Sequence, residues 1–322
     1  MTQETRSQTC PICGRVSEDL PVEHGKDYVI YRCSYCHGDF AQTAVHFNYR
    51  GEIYKTSGDF VRDSYKLDTL RSPEELLTNP VRRGFASNFL GAFPAKGKLL
   101  DVGCGVGTFA KLAEELGFEV YAFDPAEEAI KYAREKFRLK NIVAGTIDAI
   151  PSEWQDFDVI TAFEVIEHLE EPCELVRRIY ELLKSGGHFI MSVPNRDRLG
   201  AKLWGAAEWD APPNHLTRWS KQVLIFFLAN LGFTDVQIRM DSLNRWSLSA
   251  FLPPRFNRRM TAGELQRLLC QGANPKGSFA SSPWWKCVQK IGDGVAFVLR
   301  VVAGDIGKQY LANPLIAVAK KP

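Results

Sequence analysis

The chain has 322 residues, 45% of them hydrophobic, which suffices for one substantial core with small appendages. Its 40 basic and 38 acidic side chains leave a net charge of only +2, which excludes a nucleic-acid field spread over the whole protein. The stretch MTQETRSQTC lacks the charged, apolar and small-residue order of a secretion signal, and the longest apolar run, Val223 to Ala229, is too short for a bilayer, so a cytoplasmic protein is expected.

The first chemistry met along the chain is a pair of CxxC motifs, Cys10-Pro-Ile-Cys13 and Cys33-Ser-Tyr-Cys36. Each pair bends into a knuckle that points two thiolates at one ion, and two knuckles make a closed sulfur tetrahedron that suits Zn²⁺. Such a site is structural, because no coordination position is left for chemistry. A segment this short folds largely on metal binding, and Gly14 suits the turn after the second ligand. The expected module covers residues 1–50. Residues 51–96 read as a linker with N-terminal helices, in which Tyr54 and Tyr65 are weak candidates for leaning over a ligand.

Lys98 to Val102 reads as a short buried strand, followed by Gly103-Cys104-Gly105-Val106-Gly107 and a helical run, TFAKLAEELG, that closes at Gly117. A second strand, Phe118 to Phe123, ends in Asp124-Pro125. Strand, glycine turn, helix, strand and acid make the nucleotide-binding half of a doubly wound sheet, with the closing acid placed for ribose hydroxyls. A dinucleotide loop needs a third glycine to approach the pyrophosphate, and Thr108 stands there instead. Adenosylmethionine carries no phosphate, and Asp101 before the loop suits its cationic amino-acid end. A bare strand-to-helix turn is the bland alternative.

Further elements alternate. Asn141 to Ala144 reads as a third strand and Phe157 to Phe163 as a fourth; a helix runs from Pro172 through Leu183 and is ended by Gly186-Gly187. His188 to Val193 is a fifth strand, Lys221 to Leu231 a helix ended by Gly232, and Val236 to Met240 and Pro314 to Ala319 are late strands. The pattern predicts an α/β fold with a mainly parallel sheet and an antiparallel edge.

The motifs LLDVGCGVG, YAFDP, FDVITAFEVIEHL, KSGGHFIMSVPN and PPNHLTRWS resemble the successive motifs of class I S-adenosylmethionine-dependent methyltransferases. The subgroup resembled modifies small metabolites, quinones, sugars and lipid-linked glycans. The resemblance implies a seven-stranded Rossmann-like methyltransferase domain over residues 97–322, with insertions at 195–219 (a substrate lid) and 241–312. It implies cofactor contacts from Asp101, Gly103, Gly105 and Gly107, ribose binding at Asp124 beside Pro125, and contacts near the methionine end from Phe163 and Glu164. Relatives carry Gly-Asp after the third strand; here Gly145 is followed by Thr146-Ile147-Asp148, so Ile147 and Asp148 are the adenine-side candidates.

Methyl transfer asks the protein mainly to align nucleophile, methyl carbon and sulfur, and a base helps where a proton must leave. His168 and His215 are the candidates; the bland readings are a helix-start histidine packed behind Glu167 and a loop-ordering hydrogen bond. Trp204, Trp209 and Trp219 flank the lid, and packing is the first reading for them. Segment 241–312 holds Arg255, Arg258, Arg259 and an apolar stripe after Trp284-Trp285, read as a lid or dimer helix, with peripheral membrane contact as the alternative. The expectation is transfer to an O, N or C atom of a small-molecule, sugar or lipid-linked glycan acceptor, with monomer or homodimer left open. Its rivals are an RNA methyltransferase, a non-catalytic zinc-stabilised cofactor binder and an NAD-linked oxidoreductase.

Overall fold

In a computed structural model of the chain, the described residues are 6–43, 90, 96–198, 210–240 and 314–322. Tyr54, Tyr65, Trp204, Trp209, Arg255, Arg258, Arg259, Trp284 and Trp285 lie outside them.

The N-terminal module is a sheet wrapped around two knuckles. Strands β1 (Arg6–Thr9), β2 (Val16–His24), β3 (Tyr28–Arg32) and β4 (Asp39–Thr43) pair antiparallel in sequence order. In the first knuckle the Gly14 N–H donates to the Cys10 carbonyl at 2.8 Å, and Gly14 has φ of +72°, a conformation that a Cβ would strain. The second closes on Cys33, whose carbonyl accepts from the His37 N–H at 3.0 Å.

The main sheet is built from β5 (Lys98–Val102), β6 (Glu119–Asp124), β7 (Asn141–Ala144), β8 (Phe157–Phe163), β9 (Leu183–Val193), β11 (Thr234–Met240) and β12 (Leu315–Lys320). Its order is β11-β12-β9-β8-β5-β6-β7, as a doubly wound seven-stranded sheet requires. The antiparallel member is β12, which lies between β9 and β11 rather than at the edge expected from sequence. A strand hydrogen-bonded on both sides and apolar on both faces gains most from the interior, and LIAVA is such a segment.

Among the described residues four helices pack on the sheet: α1 (Thr108–Glu115), α2 (Glu127–Lys136), α3 (Pro172–Leu182) and α4 (Lys221–Asn230). Helix α2 carries Glu127 and Glu128 in its first turn and Arg134 and Lys136 in its last, each favourable to the helix dipole. Helix α3 starts on Pro172, which lacks the N–H that would go unpaired there. Ser220 caps α4 by accepting from the Val223 N–H at 3.3 Å, worth about 1 kcal/mol. The core includes Leu99, Leu100, Phe157, Ile160 and Phe189, all fully buried; each contributes roughly 1.5–3 kcal/mol by leaving water.

One local expectation is corrected. Helix α3 stops at Leu182, and the chain enters β9 at once, so Gly186-Gly187 lies inside a strand rather than ending a helix. The register of β9 on β8 shifts near Phe157, and a Cβ on Gly187 would stand 2.9 Å from the Phe157 and Lys184 carbonyl oxygens, which explains the glycine. The 195–219 segment, moreover, is tied at its end to the N-terminal sheet. Its end forms β10 (Thr217–Arg218), which pairs antiparallel with β4 and becomes the fifth strand of the N-terminal sheet. Among the described residues no helix is long and apolar enough to cross a membrane.

Candidate functional site

The glycine turn between β5 and α1 is held by an acid. Asp124, at the end of β6, accepts from the Gly105 N–H with Oδ2 and from the Ala126 N–H with Oδ1, both at 2.8 Å. Gly103, Gly105 and Gly107 all have positive φ, and a Cβ on Gly103 would come within 2.6 Å of Val165 Cγ2. Burial pushes the Asp124 carboxyl up to about 6, against the two amide hydrogen bonds that favour its charge.

Asp101 lies beneath the same turn, 2% exposed, on β5. Its Oδ1 accepts from the Thr161 hydroxyl on β8 at 2.7 Å, while Oδ2 has no hydrogen-bond partner. Burial raises its pKa to about 7, with Thr161 pulling down and the Asp124 charge adding to the rise.

A cleft of about 360 Å³ opens at the carboxyl ends of β5, β6 and β8, where the strand order reverses. Gly103, Asp124, Pro125, Ile147, Asp148, Glu164 and His168 line it, together with Thr146, Val165 and residues of α3. Asp101, Gly105, Gly107, Phe163 and His215 are not in this lining. The Phe163 ring instead meets Phe109 edge to face, centroids 4.8 Å apart, and so packs the sheet. Ile147 and Asp148 sit in a single 3-10 turn after β7.

One end of the cleft carries a polar cluster, exposed at Glu164 and buried at Glu167, Arg198, Asp210 and His215. Glu164 leaves β8 with φ of +55°, and its Oε1 accepts from the Ser192 hydroxyl at 2.8 Å. His168 and His215 meet edge to face, centroids 4.8 Å apart. His168 Nδ1 lies 2.6 Å from the Asn214 carbonyl oxygen, an acceptor only, so Nδ1 carries the proton. Burial first, then the nearby His215, lower the His168 pKa to about 4, keeping it neutral. His215 Nδ1 bonds Asp210 Oδ1 at 2.8 Å, and Arg198 pairs with the other Asp210 oxygen. Burial alone would raise the Asp210 pKa; the His215 hydrogen bond and the Arg198 charge hold it below the usual value.

Beside the histidines stands Glu167, fully buried, with neither carboxylate oxygen hydrogen-bonded. Burial raises its pKa well above the usual range. Glu167, His168 and His215 each present one ligand atom, all within 4.8 Å of one another. Histidines that give their Nδ1 proton to a carbonyl or carboxylate present the Nε2 lone pair, the arrangement in which imidazole binds a metal ion. A divalent cation would supply the charge that this orphaned carboxylate lacks.

Against α3, whose Cys173 thiol donates to the Ile12 carbonyl at 3.2 Å, Cys10, Cys13, Cys33 and Cys36 are buried together. The Cys10–Cys36 and Cys13–Cys33 sulfur separations are each 3.7 Å, close to the edge of a tetrahedron whose centre lies about 2.3 Å from every sulfur. The Cys10 thiol first, and then the Gly38 N–H, 3.4 Å from Cys36 Sγ, lower the Cys36 pKa to about 6 against burial, while burial lifts Cys13 to about 12.

Sequence reasoning named the loop, both acids and both histidines. It named Glu167 only as the residue behind which His168 packs, and it missed Asp210, Arg198, Thr161 and Ser192. Glu167 carried a signal, for Glu-x-x-Glu-His on one turn is a dense group of ligand-forming residues. Thr161 sits within a strand and signals its role only through its cross-strand neighbour.

A methyltransferase domain family model matches residues 74–238. The chain is 36% identical over 131 residues to the ubiquinone biosynthesis O-methyltransferase of Idiomarina loihiensis, covering 39% of this chain and 52% of that one, so it spans about half the length of that relative. It is 30% identical over 176 residues to the protein of the same name from Alkalilimnicola ehrlichii, covering 48% and 71% of the two. The fold is similar to that of phosphoethanolamine N-methyltransferase 2 from Haemonchus contortus in complex with S-adenosyl-L-methionine, with TM-score 0.52 and 16% identity, covering 94% of this chain and 71% of that one.

Proposed function

Because the chain belongs to the methyltransferase domain family, we propose that it moves a methyl group from S-adenosylmethionine to a hydroxyl oxygen of a small molecule. The observation that carries this is the cleft itself. Asp124 lines one part of it and His168 another, so a nucleoside at the glycine turn would send its sulfonium toward the polar cluster. The names of the curated relatives favour oxygen as the attacking atom.

In this reading Asp124 accepts from the ribose hydroxyls while keeping the turn closed, and Ile147 and Asp148 border the adenine. Asp101 and the amides of Gly103, Gly105 and Gly107 set the charge and the backbone path below the methionine end. Glu164 faces the amino-acid end, and Phe163 supports the sheet behind it. As the acceptor oxygen bonds the methyl carbon, the carbon–sulfur bond breaks and its electron pair returns to sulfur, leaving a neutral thioether. The acceptor's proton goes to His215, whose imidazolium the Asp210 carboxylate would stabilise.

A second reading of the activation step is favoured by the orphaned Glu167 carboxylate. Glu167, His168 and His215 would hold a divalent cation, which would lower the pKa of a hydroxyl bound to it. The four cysteines hold one structural Zn²⁺. The proposed domains are 1–50, 51–96 and 97–322, with β10 contributed to the first by the last. Sugar and lipid-linked glycan hydroxyls remain within the proposed acceptor class; the membrane-surface reading rested on residues 241–312, outside the described residues, and the RNA reading on the zinc module together with Arg255, Arg258 and Arg259 of that segment.

The test is to incubate the full chain and labelled S-adenosylmethionine with fractionated extract and identify the labelled product by mass. A methyl ether on a small hydroxylated molecule is expected. Binding of S-adenosylhomocysteine without any labelled product would replace the enzyme by a cofactor-binding protein. A thermal shift with NADH and none with S-adenosylhomocysteine would replace it by an oxidoreductase.

A further inference from the structure

The end of segment 195–219 answers to the N-terminal module more than to the main sheet. Leu216, next to His215, donates its N–H to the Glu167 carbonyl at 2.7 Å, and its own carbonyl accepts from the Ala41 N–H at 2.7 Å. One backbone unit thus bridges the catalytic-side turn and β4. The next two residues, Thr217 and Arg218, pair with Phe40 and Asp39 of β4. A strand of two residues has too few bonds to define its own position, so its place is inherited from β4.

Side chains repeat the tie. The Arg218 guanidinium gives two hydrogen bonds to Glu23 on β2, at 2.7 and 3.2 Å, with the arginine side chain only 13% exposed. Arg196 donates to the His37 carbonyl in the second cysteine knuckle at 2.8 Å and pairs with buried Asp39 at 2.9 Å. The Arg196 N–H closes the loop on the Trp219 carbonyl at 2.7 Å. On its other side, His215 is tied to Asp210, and through it to Arg198.

We propose that the N-terminal module is the scaffold of the acceptor side of the cleft, and that Glu23 and Arg218 are positioning residues that set where His215 stands. Neither touches the cleft lining; both act through β10 and the Leu216 bridge. The inference rests on the proposed role of His215 at the acceptor. A shift of about 1 Å in a group that must meet a reacting atom costs about a hundredfold in rate, so a loop histidine needs an anchor of this kind.

The experiment uses the full chain with Glu23→Gln and, separately, Arg218→Met. Three quantities are read: S-adenosylhomocysteine affinity by calorimetry, the downfield Nδ1–H proton signal of His215 by NMR, assigned by its loss in His215→Asn, and turnover with the product-forming extract fraction. Both variants are expected to keep S-adenosylhomocysteine affinity within about twofold, to lose or broaden the His215 signal, and to turn over at least about tenfold more slowly. An unchanged His215 signal in both variants overturns the inference. Loss of S-adenosylhomocysteine binding along with the signal overturns it as well, since Glu23 and Arg218 would then support the whole fold. If His215→Asn leaves turnover intact, the proposed function of the histidine fails, while the NMR signal still decides whether the module positions it.

Discussion

Thr161 reaches across from β8 and gives its hydroxyl hydrogen to one oxygen of Asp101 on β5, leaving the other oxygen unpartnered beneath the glycine turn. The folded-state pKa of Asp101, about 7, stands above the unfolded value near 3.8. A raised folded pKa favours folding below the unfolded value, and that contribution disappears as pH climbs through the folded value.

The free protein should therefore lose, between pH 4 and about 7, up to about 4 kcal/mol through Asp101, three pKa units at 1.36 kcal/mol each. Asp101→Asn should flatten the profile: its melting temperature relative to wild type should climb over that interval and level off above it. Calorimetric scans at four pH values check this, and parallel profiles for the two proteins would contradict it.

Asp124→Asn keeps one acceptor oxygen where two amide hydrogens now donate, at Gly105 and Ala126. Stability should drop by about 1–3 kcal/mol. S-adenosylhomocysteine affinity should fall about tenfold or more, since each decade is 1.4 kcal/mol. Gly103→Ala, forced against Val165 at positive φ, should weaken the same affinity with little change in the zinc module. Calorimetric titration measures both.

Glu167→Gln removes a buried carboxylate that has no hydrogen bond. The metal-free protein should become more stable at pH 8, because ionising that group in the interior is costly. The variant should also lose any thermal stabilisation by Mn²⁺ that the wild type shows. Stabilisation by Mn²⁺ that persists in Glu167→Gln would place the cation elsewhere.

Elemental analysis of protein purified without chelator should find one zinc per chain. Cys33→Ser should lose it and melt well below wild type, because metal binding supplies the knuckle's folding free energy. A metal-free wild type with an unchanged melting curve under chelation would remove zinc from the account.

The parts of the fold readable from sequence were those with local causes. Lys98 to Val102, the three glycines and Asp124 sit within one βαβ unit, and the two CxxC pairs carry their spacing openly. The third and fourth strands lie where their apolar runs stop, at Asn141–Ala144 and Phe157–Phe163. What was hidden depends on distant partners. Thr217-Arg218 has no strand pattern of its own and becomes β10 only because β4 offers an edge. Gly186-Gly187 looks like a helix stop, yet a register shift beside Phe157 uses it inside β9. Glu167 drew no role of its own because loneliness of a carboxylate is a property of its surroundings.

The strand that His215 precedes belongs in space to a sheet begun some two hundred residues earlier. A chimera that exchanged residues 6–43 for those of a relative would therefore also have to import the stretch around Leu216 to Trp219, or the graft would meet a foreign edge. The structural unit here is discontinuous, since residues 6–43 and 217–218 make one sheet.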